Sequence, residues 1–323
     1  MAVDHLIDVS QDVEMNFYHA LETATAGGWF EKISYHNPDS KGEKVSYPFV
    51  GGFPNWEKFT GSFTHTELTA FGLEVNNEEY SISMKVKNLE RHRDRTGQIA
   101  LRANQFGEVI GELWGDLAIV LLDKAPVTPI WTNDTFFGTN HQWGGTTQRN
   151  KINIAVDPMV AKLKGTFDNP SSEQFSKAVF KAIAHLLTLK DDTGRKLNKN
   201  SKRFVVVVPL HLQEVAMTVA TEPEFDGIKN PLNKAGYTIE VEVEDDLSSD
   251  WDNSFSVWNT SKAVRGLIRQ DEIPAELIRI GNESSWGKMN QAELYMAYAS
   301  RGVGYGNPFY CVMATLVATQ AEV

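Results

Sequence analysis

The sequence predicts an α+β fold, and three observations carry that prediction. Residues 98–122 keep one apolar seam through about seven helical turns. Residues 80–87 and 237–244 alternate polar and apolar side chains, the period-two signature of half-buried strands. Between residues 47 and 63, Tyr47, Phe49, Phe53, Trp56, Phe59 and Phe63 share a stretch with Pro48, Pro54 and three glycines. Proline removes a ladder donor and glycine weakens a strand interior, so this ribbon is no central strand.

Taken in order, residues 10–24 read as a short amphipathic helix. Ser10 is its cap, Asp12 and Glu14 sit at its positive end, and Val13, Phe17 and Leu21 line one face. Gly27-Gly28 stops it. A helix this short is marginal alone and needs another surface. Residues 37–42 form a turn, and the aromatic ribbon follows as a lid over its own core or an arm on a partner. In the strand at 80–87, Tyr80, Ile82, Met84 and Val86 face one side. The charge run Glu90-Arg-His-Arg-Asp-Arg95 after it is a surface turn or an inter-subunit salt-bridge patch. The helix from Gln98 places Ile99, Ala103, Phe106, Ile110, Leu113, Leu117 and Val120 on its seam, and Pro126 ends it.

A second helix is expected over 172–190, capped by Ser171 or Ser172, with Phe175, Val179, Ile183, Leu186 and Leu187 buried. Arg203 to Val208 is apolar without alternation, as in a strand covered on both faces. Pro209 ends it and opens a helix from Leu210 to Ala220. The strand from Tyr237 to Glu244 puts Ile239, Val241 and Val243 on one side and Glu240, Glu242 and Glu244 on the other. Two last strands, Glu293 to Ala299 and Phe309 to Val317, are joined by Arg301-Gly-Val-Gly-Tyr-Gly-Asn-Pro308, which reads as a hairpin turn.

The chain is 323 residues long, enough for two domains or for one with large excursions. A net charge of −11 and a pI near 5.3 argue against a basic groove for nucleic acid and suit a protein kept at high concentration. The single cysteine, Cys311, excludes an intramolecular disulfide and reads as a small core residue. A zinc site would need more cysteines or clustered histidines. No apolar run approaches the ~18 residues of a membrane span, and the N-terminus has neither the basic patch nor the apolar core of a secretion signal.

Signs of catalysis are sparse. Eight histidines are scattered, with no His-Glu-x-x-His pair, no Gly-x-Ser-x-Gly elbow and no phosphate loop. His141, after Phe136-Phe137, has no nucleophile or orienting carboxylate in a recognisable arrangement and reads as a structural histidine at a turn. The acidic strand up to Asp246 reads as a solvated face rather than a cation site. No cofactor is called for.

The order of these motifs resembles the major head subunit of Mu-like tailed phages, a branch of the Hong Kong 97-type capsid fold. It rests on Trp29-Phe-Glu-Lys-Ile33, Glu43-Lys-Val-Ser-Tyr47 leading to Gly51-Gly-Phe-Pro54 and Trp56, and Leu73-Glu-Val-Asn-Asn-Glu-Glu-Tyr80. Asp134-Thr-Phe-Phe-Gly-Thr-Asn-His141 and Tyr298-Ala-Ser-Arg-Gly-Val-Gly-Tyr-Gly306 complete it. The resemblance implies an N-terminal arm over 1–35, an extended loop over 36–79 reaching across a neighbouring subunit, and a peripheral domain over 80–129 with the spine helix 98–122. It also implies an axial domain over 130–289 around each five- or six-fold centre, and C-terminal strands over 290–323 returning to the peripheral domain. The contacts expected between subunits are Tyr47, Phe49, Phe53, Pro54, Trp56, Phe59 and Phe63 in the loop, Phe17 and Trp29 in the arm, and Arg91, Arg93 and Arg95 in the charge run. In that run the resemblance would lead one to expect a more acidic stretch.

The function implied is that of a major capsid protein: a non-enzymatic subunit assembling in the bacterial host cytoplasm into pentamers and hexamers of a virion shell around double-stranded DNA. The implied partners are further copies of itself, a scaffolding protein, a maturation protease and the portal, with a decoration protein left open. DNA would be held by proximity alone and no membrane is involved. The scaffolding is expected as a separate or removed protein, and no covalent crosslink is expected from Lys41, Lys44 or Lys58. The competing reading is a soluble cytoplasmic enzyme with the aromatic ribbon as a lid over a site near His141. A third is a nanocompartment shell around a protein cargo.

Overall fold

A computed structural model of the chain describes residues 14–24, 28–50, 70–94, 97–143, 145–156, 165–225 and 227–318. Phe53, Pro54, Trp56, Phe59, Phe63 and Arg95 lie outside the described residues, as does the first turn expected for the helix at 10–24.

Two sheets organise the molecule. Helix α1 (residues 14–24) and helix α2 (Trp29–Ile33) lead into β1 (Ser34–Asn37). A separate two-stranded hairpin follows, β2 (Lys44–Val50) against β3 (Ala70–Asn76). Next come β4 (Glu78–Lys87), the short α3 (Asn88–Arg93) and the spine α4 (Gln98–Lys124). The spine has 27 residues, so it spans about 40 Å. Far along the chain lie β13 (Leu267–Ile280), α8 (Ser285–Asn290) and β14 (Ala292–Tyr305). These complete a four-stranded sheet in the order β1-β13-β14-β4, antiparallel except for the β1–β13 pair.

The second sheet has five strands. Between the spine and β13 the chain forms the small ribbon β5 (His141–Trp143) and β6 (Thr146–Gln148), then β7 (Lys151–Val156), α5 (Ser172–Leu186), β8 (Arg203–Pro209) and α6 (Gln213–Thr221). A two-residue pair, β9 (Glu224–Phe225) and β10 (Ile228–Lys229), precedes α7 (Pro231–Ala235), β11 (Thr238–Glu244) and β12 (Ser254–Asn259). The last strand is β15 (Cys311–Ala318). The order is β11-β8-β12-β15-β7, with β12 antiparallel to both of its neighbours.

β8 explains why this sheet has three layers. Phe204, Val206 and Val208 point into a core with Phe175, Val179 and Ile183 of α5, while Val205 and Val207 point into the opposite core with Trp114, Ala118 and Leu122 of the spine. A strand covered on both faces has no polar side to alternate, as the apolar run predicts. The first half of the spine covers the other sheet: Ile99 and Ala103 pack with Val86 and Tyr295, and Phe106 and Ile110 with Ala297 and Phe17. The spine therefore fastens the two sheets to each other.

Several local expectations shift. Val120 is 50% exposed, whereas Trp114, Ala118 and Leu122 are buried. A seam spaced by fours and threes drifts around a straight helix, and the second half turns its buried face toward α2 and the five-stranded sheet. Residues 301–305 are not a turn: β14 continues through them to Tyr305. Gly302 and Gly304 are needed there because β3 crosses close by; a Cβ would lie 2.4 Å from Asn76 O and 2.5 Å from a Val75 methyl. The second helix stops at Leu186, and the turn Leu210–Leu212 precedes α6.

The grouping of strands also departs from the expected one. β13 comes from within the 130–289 stretch yet belongs to the four-stranded sheet, beside β14. β15 comes from the 290–323 stretch yet sits inside the five-stranded sheet, between β12 and β7. The chain therefore crosses between the sheets twice after Asn259.

Candidate functional site

Among the described residues, the side-chain hydrogen bonds that anchor the β2–β3 hairpin to the sheet lie toward its base. Tyr47 donates its hydroxyl to Gln270 Oε1 at 2.6 Å and accepts from Asn37 Nδ2 at 2.9 Å. Gln270, fully buried in β13, donates to Asn77 Oδ1 at 2.7 Å and to the Val75 carbonyl at 3.2 Å. Asn77 in turn donates to the Gly42 carbonyl at 2.8 Å. One amide thus ties both strands of the hairpin to the sheet, and buried polar groups satisfied in this way fix orientation. Tyr47 faces its own chain. Phe49 lies within β2, whose remote end leads into the aromatic ribbon.

The arm residues are placed against the spine. Phe17 is 1% exposed and packs on Phe106 with ring centroids 5.7 Å apart. The crossing is tight because Gly107 lets the α1 backbone in: a Cβ there would lie 2.5 Å from Phe17 O. Trp29 is half-buried and sits edge-on to Phe30, which stacks on Trp114. Both residues expected at a neighbour are therefore engaged within the chain.

The charge run divides. Arg91 is buried with Glu293, 2.6 Å away, and Arg279 reaches the same carboxylate at 2.9 Å. Tyr295 donates to its other oxygen at 2.8 Å. Burial pushes the Glu293 carboxyl up, but the bonds from Arg279, Tyr295 and Arg91 outweigh it and hold the group below the usual carboxylate range. Arg91 is thus a strut within the subunit, whereas Arg93 is exposed. Glu293 and Gln270 escape sequence reasoning: nothing in their own strands marks either residue, and the pairing of distant strands supplies its partners.

His141 occupies no cavity. It is fully buried, with Nδ1 accepting from Thr132 Oγ1 at 2.7 Å and Nε2 donating to Asn150 Oδ1 at 2.8 Å, the tautomer this network requires. Burial holds its imidazole below the ordinary histidine value. Asn150 also accepts from the Gly138 amide and donates to the carbonyls of Phe136 and Pro308. Phe136 and Phe137 are core residues stacked with Tyr305 and set edge-on to Trp251. A neighbouring cleft, about 430 Å³, is lined by Asp134, Phe137, Thr139, Arg149 and Lys151 but not by His141. The space around His141 that the enzyme reading requires is filled by the protein's own side chains. Among the described residues no cluster of His, Cys, Asp and Glu could hold a metal, and no helix is long and apolar enough to cross a membrane.

Comparison with known proteins bears on both halves of the chain. Residues 6–161 match the family model described as Mu-like prophage major head subunit gpT. The procapsid subunit of bacteriophage JBD30 aligns over 98% of this chain and 76% of its own, at 16% identity and a TM-score of 0.54. The capsid of cyanophage P-SCSP1u aligns over 90% of this chain and 88% of its own, at 12% identity and a TM-score of 0.57. The mature capsid of bacteriophage PhiM1 aligns over 90% and 87%, at 11% identity and a TM-score of 0.55. No curated protein matches the chain in sequence. At these identities the structural likeness establishes the Hong Kong 97-type fold, and the family match supplies the head-subunit signature.

Proposed function

We propose that the chain is a Mu-like phage major capsid protein, which works by closing into rings of five and six that tile an icosahedral shell around double-stranded DNA. The observation that carries this reading is the coincidence of the head-subunit signature over 6–161 with a capsid fold spanning nearly the whole chain. The role is structural. The subunit would assemble in the bacterial cytoplasm with a scaffolding protein, a maturation protease and a portal, and end in the virion.

The parts of the molecule support that use. The arm would be residues 1–35 and the extended loop 36–79, whose ribbon joins the open end of the β2–β3 hairpin. The hairpin pairs with no other strand among the described residues, and beyond the base, where β3 crosses β14, its far end would project from the subunit. Its aromatic ribbon then supplies anchors to bury on a neighbour. The four-stranded sheet with the spine would form the peripheral part and the five-stranded sheet the axial part.

Sedimentation of the purified chain, alone and with its scaffolding protein, followed by electron microscopy of the fastest fraction, tests the proposal. Shells, tubes, or rings of five or six are the expected result. A monomer or dimer that persists with the scaffolding partner present would overturn it.

A further inference from the structure

We infer that the two outer edges of the five-stranded sheet are the halves of a head-to-tail contact between copies of this chain, the acidic β11 edge of one copy meeting the basic β7 edge of the next. The inference rests on the ring-forming reading above and adds which surfaces meet and by what force.

Charge is distributed unevenly along the chain. Residues 237–253 contain seven acids, among them Glu240, Glu242, Glu244, Asp245 and Asp246, and no lysine or arginine. Residues 190–196 contain Lys190, Arg195 and Lys196 against Asp191 and Asp192. Asp191 is buried, its carboxylate holding the amides of Thr193 and Arg195. Folding carries the acids of β11 and the basic loop 190–196 to opposite edges of one sheet, while Lys202 and Arg203 lie beside the start of β11. Among the described residues, β11 is an edge strand bonded only to β8. β7 is the other edge, four strand spacings or about 19 Å away. The basic loop is held beside it, since Gln148 at the end of β6 exchanges two hydrogen bonds with the Lys190 backbone, at 2.9 and 2.7 Å, and Lys190 bridges to Lys196. Arg149, Lys190, Arg195 and Lys196 are exposed there.

The acidic edge is under-compensated within the subunit. Lys32 reaches Glu242 at 2.6 Å and Glu240 at 3.1 Å, leaving Glu244, Asp245 and Asp246 at the strand's end. Burial, with Asp245, Glu242 and Asp246 close by, pushes the Glu244 carboxyl up to about 7. A cationic neighbour would relieve that repulsion. Two copies meeting edge to like edge would set acid on acid or base on base. Only head-to-tail contact pairs unlike charge, and heterologous contacts of that kind close into rings.

Charge reversal tests the pairing. One variant carries Asp245→Lys and Asp246→Lys, the other Lys190→Glu and Lys196→Glu; all four side chains are exposed. Each variant alone should lose ring formation at low salt by about tenfold or more. An equimolar mixture should recover it, in rings with an even number of subunits, because the two variants must alternate. Either variant assembling like the unmodified chain, or a mixture of folded variants that stays unassembled, overturns the inference. If a variant does not fold, the unmodified chain decides by salt: ring formation that weakens as ionic strength screens exposed charge supports the contact, and indifference to salt overturns it. Failure of the unmodified chain to form rings or shells with its scaffolding protein is a separate result, which sinks the ring reading itself.

Discussion

At the scale of single residues, three polar groups buried in this molecule are matched by partners far away in sequence. Asn150 joins the loop after the spine to Pro308, Gln270 joins the hairpin to β13, and Glu293 joins α3 to β14. Glu244 differs, since burial and neighbouring acids raise its carboxyl to about 7 rather than lowering it. The sign of its effect follows. A folded-state value above the unfolded one contributes stability that is fully present below about 4.5 and is lost as pH rises through about 7. Glu244→Gln removes the ionisation while keeping an acceptor for Trp29. It should therefore raise the melting temperature at pH 8 and leave it nearly unchanged at pH 4.5. An equal shift at both pH values would show that the carboxyl is not strained by its neighbours.

At the scale of elements, the spine and the arm helix show how one position sets a crossing. Alanine in place of glycine inside a helix ordinarily stabilises by about 1 kcal/mol. At Gly107 the added Cβ would meet Phe17 O at 2.5 Å and Ala20 Cβ at 2.9 Å, so α1 must move. Overpacking of this kind costs about 1–3 kcal/mol and should outweigh the gain. Gly115, on the same helix, has nothing within 4 Å of its Cβ position and serves as the control. Gly107→Ala should thus speed hydrogen exchange across residues 14–24, and Gly115→Ala should stabilise the subunit. Unchanged exchange in the first variant would mean that α1 is not seated on the spine.

Elements with a single exposed face were legible in the sequence. The spine, α5 with its Ser171 cap, β4 and β11 all appear near their expected bounds. β13 was not, although it is among the longest strands, because Asp271, Glu272 and Pro274 interrupt any alternation. The ladder passes them through irregularities between Asp271 and Ile273 and between Ile273 and Glu276. A bulge accommodates the proline and the change of face, and bulges leave no periodic mark.

At the scale of the whole molecule, the aromatic ribbon decides whether the chain is a building block or a closed unit. Replacing Phe53 and Trp56 together with Ala should leave the melting temperature of the isolated subunit within a few degrees of the original. Shell or ring formation, followed by sedimentation, should fall by at least about tenfold, since buried aromatic anchors carry most of an interface's energy. A subunit that unfolds instead would mean that the ribbon is part of its own core.

By itself the sequence determined the kinds of elements, the acidic balance, the apolar seam of the spine, and a motif order that resembles a phage head subunit. These are local or compositional properties, written in periods of a few residues. The tertiary structure alone decided that His141 is sealed, that Arg91 is an internal strut, and that β13 and β15 exchange places between the sheets. Each of those outcomes depends on which distant strands pair, and pairing is set by the packing of two cores on one spine rather than by any local pattern.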